Sequence, residues 1–294
     1  MNRLKATLSL LLCLLTVACG NVPSSDGKQT ADFYQPVEQS AEGGLQSQAS
    51  KRTSSSSGEE RGEAIPLETP RFDLPRSERL LEHEGFRISY NQGWLIPNWV
   101  AYELTAEEVQ GVEPRSNKFE PDPQIWQSPN TDEYKNSGYD RGHMAPAADM
   151  KWSKQAMEES FYTSNICPQN KNLNKGDWKD LEEHVRAMAT KYDHIYITCG
   201  PIVSAKPKTI GQNSYINRVS VPDAFYKVIL RKNNESWSAV GFMMPNQAGH
   251  KPLNKYAMSV DDIEIITDID FFVALPDSIE EIVESTYNLK DWDL

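Results

Sequence analysis

Four consecutive residues, Asp140-Arg141-Gly142-His143, constrain this chain more than any other stretch, and Met144-Ala145-Pro146-Ala147-Ala148-Asp149 continues the run. Glycine lets the backbone turn tightly, so that its neighbours converge on one point. Arginine offers a planar fork of donors matched to phosphate oxygens. Histidine accepts a proton near neutral pH. Together these groups can grip a phosphodiester and deprotonate a water beside it. A polar turn with a surface salt bridge uses the same four residue types. The tetrapeptide alone therefore leaves both readings open.

The flanking blocks separate them. Asn98-Trp99-Val100-Ala101-Tyr102-Glu103-Leu104-Thr105 lies upstream. Phe161-Tyr162-Thr163-Ser164-Asn165-Ile166-Cys167-Pro168-Gln169 follows, then Leu173-Asn174-Lys175-Gly176-Asp177-Trp178-Lys179-Asp180-Leu181-Glu182. Val221-Pro222-Asp223-Ala224-Phe225-Tyr226-Lys227-Val228 and Ile269-Asp270-Phe271-Phe272 come later. In this order the blocks resemble the DNA/RNA non-specific endonuclease family, the ββα-metal nucleases, which include endonuclease G and secreted bacterial nucleases. The resemblance covers residues 80 to 286. It implies an α+β fold, with a central antiparallel sheet flanked by helices.

The resemblance also implies a site. His143 would be the general base that takes a proton from an attacking water. Asn174 would give the single direct protein contact to Mg²⁺, with Mn²⁺ as a substitute, through its amide oxygen. Glu182 would orient a water of that ion. Arg141 would contact the scissile phosphate, and Arg115 is similar to the family's second phosphate arginine, in a differently spaced local sequence. Asn165 would position site groups. Asp140 would hold the loop through Arg141 or through backbone amides. The activity implied is hydrolysis of DNA and RNA to 5′-phosphate ends. The alternative is a catalytically weakened envelope lipoprotein that binds nucleic acid or another anionic polymer. No carboxylate cluster at two-metal spacing stands out in the motif region, which favours one metal. Four cysteines, two of them in or at the end of the export signal, give no zinc fingers.

Residues 1–18 read as that export signal: Arg3 and Lys5 precede an apolar run from Leu8 to Val17 that is too short to span a bilayer comfortably. Leu15-Thr16-Val17-Ala18-Cys19 resembles a lipoprotein cleavage box. Lipid on Cys19 would anchor an exported protein to the membrane of a bacterial cell envelope. Residues 19–66 are rich in Ser, Gln, Gly and Glu and read as a disordered tether. Residues 67–294 have the size of one domain. Cys167 and Cys199 remain for that domain, as a disulfide or as two buried thiols. The formal net charge of −12 argues against a broad phosphate-binding surface. It leaves room for a local basic cleft.

Periodicity predicts strands at Phe86–Tyr90, Trp99–Leu104 and His194–Cys199, the last ended by Gly200-Pro201. Phe225–Leu230 and Ser238–Met243 predict a strand pair joined by a turn over 231–236. Helices are predicted over Ser153–Ser160 and Asp177–Lys191 and from Val260. Trp178, Leu181, Val185 and Met188 share one helical stripe, with Glu182 at its edge. Asn174 stands at the start of that helix, where its position alone favours an N-cap and the resemblance favours a metal ligand.

Overall fold

In this computed structural model the described residues are 65–126, 128–211, 218–233 and 236–294. The export signal, Cys19 and all but the last two residues of the tether lie outside them. Among the described residues no helix is long and apolar enough to cross a membrane.

In chain order the elements are β1 (Arg71–Phe72), β2 (Arg79–Glu82), β3 (Arg87–Asn91), β4 (Ile96–Thr105), α1 (Ala106–Val109), β5 (Asp140–His143), α2 (Lys154–Glu159), β6 (Ile166–Gln169), α3 (Lys171–Lys175) and α4 (Asp177–Tyr192). There follow β7 (His194–Ile202), β8 (Thr209–Ile210), β9 (Val219–Ser220), β10 (Ala224–Asn233), β11 (Ser236–Pro245), β12 (Ala257–Met258), α5 (Val260–Thr267), β13 (Ile269–Asp270) and α6 (Asp277–Ser285). A seven-stranded sheet in the order β12-β11-β10-β7-β4-β3-β2 forms the centre, and its strand pairs are antiparallel. This is the α+β architecture expected.

The central strands bury both faces, so they read as near-continuous apolar runs rather than strict alternations. Ile229 on β10 joins the core on one face with Trp178, Leu181, Val185 and Met188 of α4. Its neighbours Val228 and Leu230 join the other, with Val260 and Ile263 of α5 and Val283 of α6. The predicted stripe of α4 is thus the face that meets the sheet. Full burial of such a side chain contributes about 1.5–3 kcal/mol.

Two strand boundaries differ from expectation. β7 runs on through Gly200-Pro201 to Ile202. Its pairing with β4 ends at Cys199, while its pairing with β10 continues to Ile202. Pro201 therefore sits where β7 has one neighbour only, a position that tolerates a missing N–H. The β10–β11 ladder likewise extends through the expected turn to Asn233 and Ser236. Cys167 and Cys199 are buried free thiols.

Candidate active site

The site grows from a second, two-stranded sheet. β5 pairs antiparallel with β6, with Gly142 opposite Cys167 and His143 opposite Ile166. Gly142 lies in this extended strand rather than at a tight turn. It is required by close approach: a Cβ there would fall 2.2 Å from Gln169 Oε1 and 2.6 Å from Gln169 Cβ.

α3 and α4 follow β6 directly. Asn170 caps α3, its side chain accepting from Asn172 N at 2.9 Å. The chain then breaks at Gly176, where a Cβ would come 2.7 Å from the carbonyl oxygen of Asn172. α4 starts after Gly176, with no side-chain cap. Asn174 is therefore not the helix cap that its position suggested. It sits inside the short α3, and its Nδ2 donates to Asp140 Oδ2 at 3.2 Å. That bond turns the amide oxygen away from Asp140. The partner of Asp140 is thus Asn174, with Lys175 Nζ at 3.9 Å, and not Arg141 or backbone amides.

His143 is 8% exposed. Phe161 meets its ring edge-on at 4.9 Å between centroids, and Phe119 lies at 5.3 Å. Its Nε2 is buried without a hydrogen-bond partner. Burial first, then the guanidiniums of Arg115 and Arg141, push its pKa down to about 3. The imidazole is therefore neutral over the physiological range. Arg141 stacks on Phe119 at 4.0 Å, and Arg115 on Phe161 at 5.0 Å. The same two aromatic rings thus wall the histidine and carry the two arginines. The sequence assigned no role to Phe119 or Phe161, because nothing local marks an aromatic as a site wall.

Asn165 touches none of these groups. It is fully buried, and its Oδ1 accepts from Ala145 N at 2.9 Å. Its Nδ2 donates to the carbonyls of Ala145 at 2.8 Å and Ser160 at 2.9 Å. All its polar capacity is spent on fastening the backbone just after His143. Asn246, which sequence reading missed, does the same for the turn between β6 and α3. It accepts from Asn170 N at 2.7 Å and donates to Pro168 O at 3.0 Å.

Glu182 is half-buried on α4. Among the described residues its carboxylate has no hydrogen bond. Burial raises its pKa to about 8, against the opposing pull of Lys227. Beneath it lies a buried charged group that the sequence did not reveal. Arg186 donates to Asp149 Oδ1 at 2.6 Å and Tyr102 to Asp149 Oδ2 at 2.9 Å. Lys227 is fully buried, with its ammonium 5.1 Å from the Trp178 ring. Arg186 lies one turn beyond Glu182, and Asp149 ends the opening motif; only the fold joins them.

The structure also gathers Asp177, Asp180 and His250, with candidate ligand atoms within 4.8 Å of one another. No such cluster was expected in the motif region. Asp177 already accepts from Tyr256 and from Lys251 N at 3.1 Å, with His250 Nδ1 at 2.5 Å. Its carboxylate is used in closing the 250–256 loop onto the start of α4.

Two open clefts lie nearby, each carrying one of the two arginines. One of about 490 Å³ is lined by Phe119, Tyr139, Asp140, Arg141 and Asn174. The other, of about 370 Å³, is lined by Pro114, Arg115, Ala147, Lys151 and Met157. Arg141, Asp140 and Asn174 thus share one cleft, His143 follows Arg141 on the same strand, and Arg115 and Glu182 interact through charge.

The family model described as DNA/RNA non-specific endonuclease matches residues 63–278. The chain belongs to this family. It is 34% identical over 229 residues to the mitochondrial nuclease EXOG of Danio rerio, covering 73% of this chain and 67% of that one. It is 35% identical over 217 residues to nuclease C1 of Cunninghamella echinulata var. echinulata, covering 68% of this chain and 86% of the relative. The matched part spans 54% of the human EXOG chain. Among solved structures, the EndoG/EndoGI complex, a study of EndoG inhibition, matches with a TM-score of 0.64 at 29% identity, over 70% of this chain and 90% of that one. The fold is thus the ββα-metal nuclease fold implied by the motifs.

Proposed function

We propose that this protein is a metal-dependent endonuclease that hydrolyses phosphodiester bonds in both DNA and RNA and leaves 5′-phosphate ends. The observation that carries the reading is the state of His143. It is a buried imidazole held neutral, with Nε2 unpartnered, under the influence of two guanidiniums and one strand position from Gly142.

In this reading a water attacks phosphorus and gives its proton to His143. The bond from phosphorus to the 3′ oxygen breaks, and that oxygen takes a proton from a water oriented by Glu182. Bound phosphate brings negative charge to the place where Arg115 and Arg141 depress the histidine. It offsets their effect, so the base strengthens when substrate is present. The same arginines stabilise the charge that builds on the phosphoryl oxygens. Asn174 fits a metal ligand because Asp140 holds its amide nitrogen and leaves its oxygen to face an ion. Mg²⁺ suits a neutral oxygen donor that leaves room for waters, and Mn²⁺ is the substitute. When bound, the ion supplies Lewis-acid stabilisation of the phosphate.

The two open clefts that carry Arg141 and Arg115 suit a polymer backbone. Contacts to phosphate and sugar make base identity matter little, and a site that ignores the 2′-hydroxyl accepts both polymers. The nuclease names of the relatives support the reading. It extends to location: an exported lipoprotein anchored through Cys19 at the bacterial cell envelope, its domain reaching substrate from a tether.

The test uses the domain starting near Leu67, incubated with plasmid and with structured RNA in Mg²⁺, in Mn²⁺ and in EDTA. Both polymers should be cut with metal and spared with EDTA. Polymer left intact after prolonged incubation with metal would sink the reading in favour of a binding protein.

A further inference from the structure

The face of the sheet away from α4 carries α5 and α6, whose apolar sides pack on Val228 and Leu230. Between these helices three carboxylates converge. Ligand oxygens of Asp261 and Glu264 on α5 and of Glu284 on α6 all lie within 4.8 Å of one another. Glu284 is 5% exposed, yet its Oε1 is buried with no hydrogen-bond partner. Glu264 is held in place by accepting from Phe271 N at 2.9 Å.

Among the described residues none of these three carboxyl groups is paired with a cationic side chain. The charges acting most strongly on Glu284 after burial itself are those of Glu264, Glu280, Asp270 and Asp261, all negative, and together they push its carboxyl up to about 10. Glu264 is pushed up to about 7, by burial first and then by Asp270, Asp261 and Asp73 against its backbone bond. Asp270 is engaged elsewhere, with Arg71 at 2.6 Å. Without a cation Glu284 keeps its proton and leaves a buried oxygen unpaired, which is costly. A bound cation displaces the proton and gives that oxygen a partner.

We propose that Asp261, Glu264 and Glu284 form a Ca²⁺ site that clamps α5 to α6, separate from the active site on the other face of the sheet. The donor set is all hard oxygen, which selects Ca²⁺ or Mg²⁺ over softer metals. Ligand number decides between them. Mg²⁺ usually keeps several waters and takes one or two carboxylates, whereas Ca²⁺ accepts six to eight oxygens in flexible geometry. Three protein carboxylates gathered at one point match the larger ion. Asp261 and Glu264 are only partly buried, which gives the ion an entry path and room for water to complete its shell. The rival is an apo cluster whose carboxyls share protons.

The experiment is equilibrium dialysis of the full chain against Ca²⁺, for wild type, Asn174→Ala, Glu284→Gln and Asp261→Asn. Thermal melts run beside it in Ca²⁺, Mg²⁺ and EDTA. Wild type and Asn174→Ala should each bind one Ca²⁺. Asp261→Asn and Glu284→Gln should bind at least about tenfold more weakly. Ca²⁺ should raise the melting temperature of wild type by mass action, more than Mg²⁺ does, and that rise should vanish in Glu284→Gln. Loss of Ca²⁺ binding in Asn174→Ala alone would move the ion to the active site and overturn the proposal. So would a Glu284→Gln protein that melts above wild type equally in Ca²⁺ and EDTA, which identifies proton sharing. If Glu284→Gln does not fold, the partly exposed Asp261→Asn decides by itself.

Discussion

A single side chain, the imidazole of His143, links chemistry to stability. His143→Ala should lower cleavage by about 10²–10⁴-fold, the usual scale of a lost general base, and leave metal binding intact. Its folded pKa lies below its unfolded one. The unfolded chain therefore binds a proton that the native chain does not, between pH about 3 and about 6.5. Native stability should fall as pH drops through that window, and His143→Ala should flatten part of that fall. Urea melts at several pH values check this; identical pH slopes would show an imidazole that protonates freely in the fold. Asn174 separates differently. Because it caps no helix, Asn174→Ala should cost cleavage without the roughly 1 kcal/mol of a lost cap. Asn174→Asp should shift the Mg²⁺ dependence, since it puts a charge beside the ion. Overlapping Mg²⁺ titrations for wild type and both variants would remove Asn174 from the metal.

At the level of elements, the β5–β6 pair sets the histidine, and two contacts set the pair. Gly142→Ala forces a Cβ onto Gln169, an overpacking worth about 1–3 kcal/mol. It should lower both melting temperature and turnover. Gln169→Gly should restore part of each in the double variant, because it removes every side-chain atom that clashes, Cβ included; strictly additive losses would place the strain elsewhere. Asn165 acts one step further out. Asn165→Ala strands Ala145 N, Ala145 O and Ser160 O, at about 1–3 kcal/mol for each group left unpaired. The expected result is a large drop in melting temperature, with a fall in kcat that exceeds any change in KM. A change in KM alone would make Asn165 a substrate contact, which its saturated hydrogen bonds argue against.

For the molecule as a whole, the expectations come from net charge and from the proposed lipid anchor. A net charge of −12 confines attraction for nucleic acid to the arginine-bearing clefts. Raising salt from about 50 to 200 mM should lower cleavage at limiting substrate, with a shallow slope that reflects few phosphate contacts. A steep slope would require a broad basic surface. The full chain should fractionate with membranes, and Cys19→Ser should release it or leave the precursor. Unchanged membrane association in that variant would point to an uncleaved apolar segment as the anchor.

The sequence by itself determined the order of chemistry along the chain and the type of each main element. Trp178, Leu181, Val185 and Met188 announce a helix and its buried face because their spacing is local, and a helix is a local object. The Asp-Arg-Gly-His run announces its chemistry for the same reason: the four groups are covalent neighbours. The tertiary structure decided which atoms meet. Asn174 and Asp140 are bonded across 34 residues, and Asp177 and Lys251 across 74. No short-range pattern encodes such pairs, so position alone made Asn174 a cap, beside the metal role that the resemblance implied, and made Asp140 a partner of Arg141 or of backbone amides. Pro201 read as a strand end, although β7 passes through it once β4 has dropped away. The orphaned nitrogen of His143, the buried ammonium of Lys227 and the unpaired oxygen of Glu284 all depend on what packs around them. Burial is a property of the assembled core, and it is burial that decides which of these side chains depart from their ordinary chemistry.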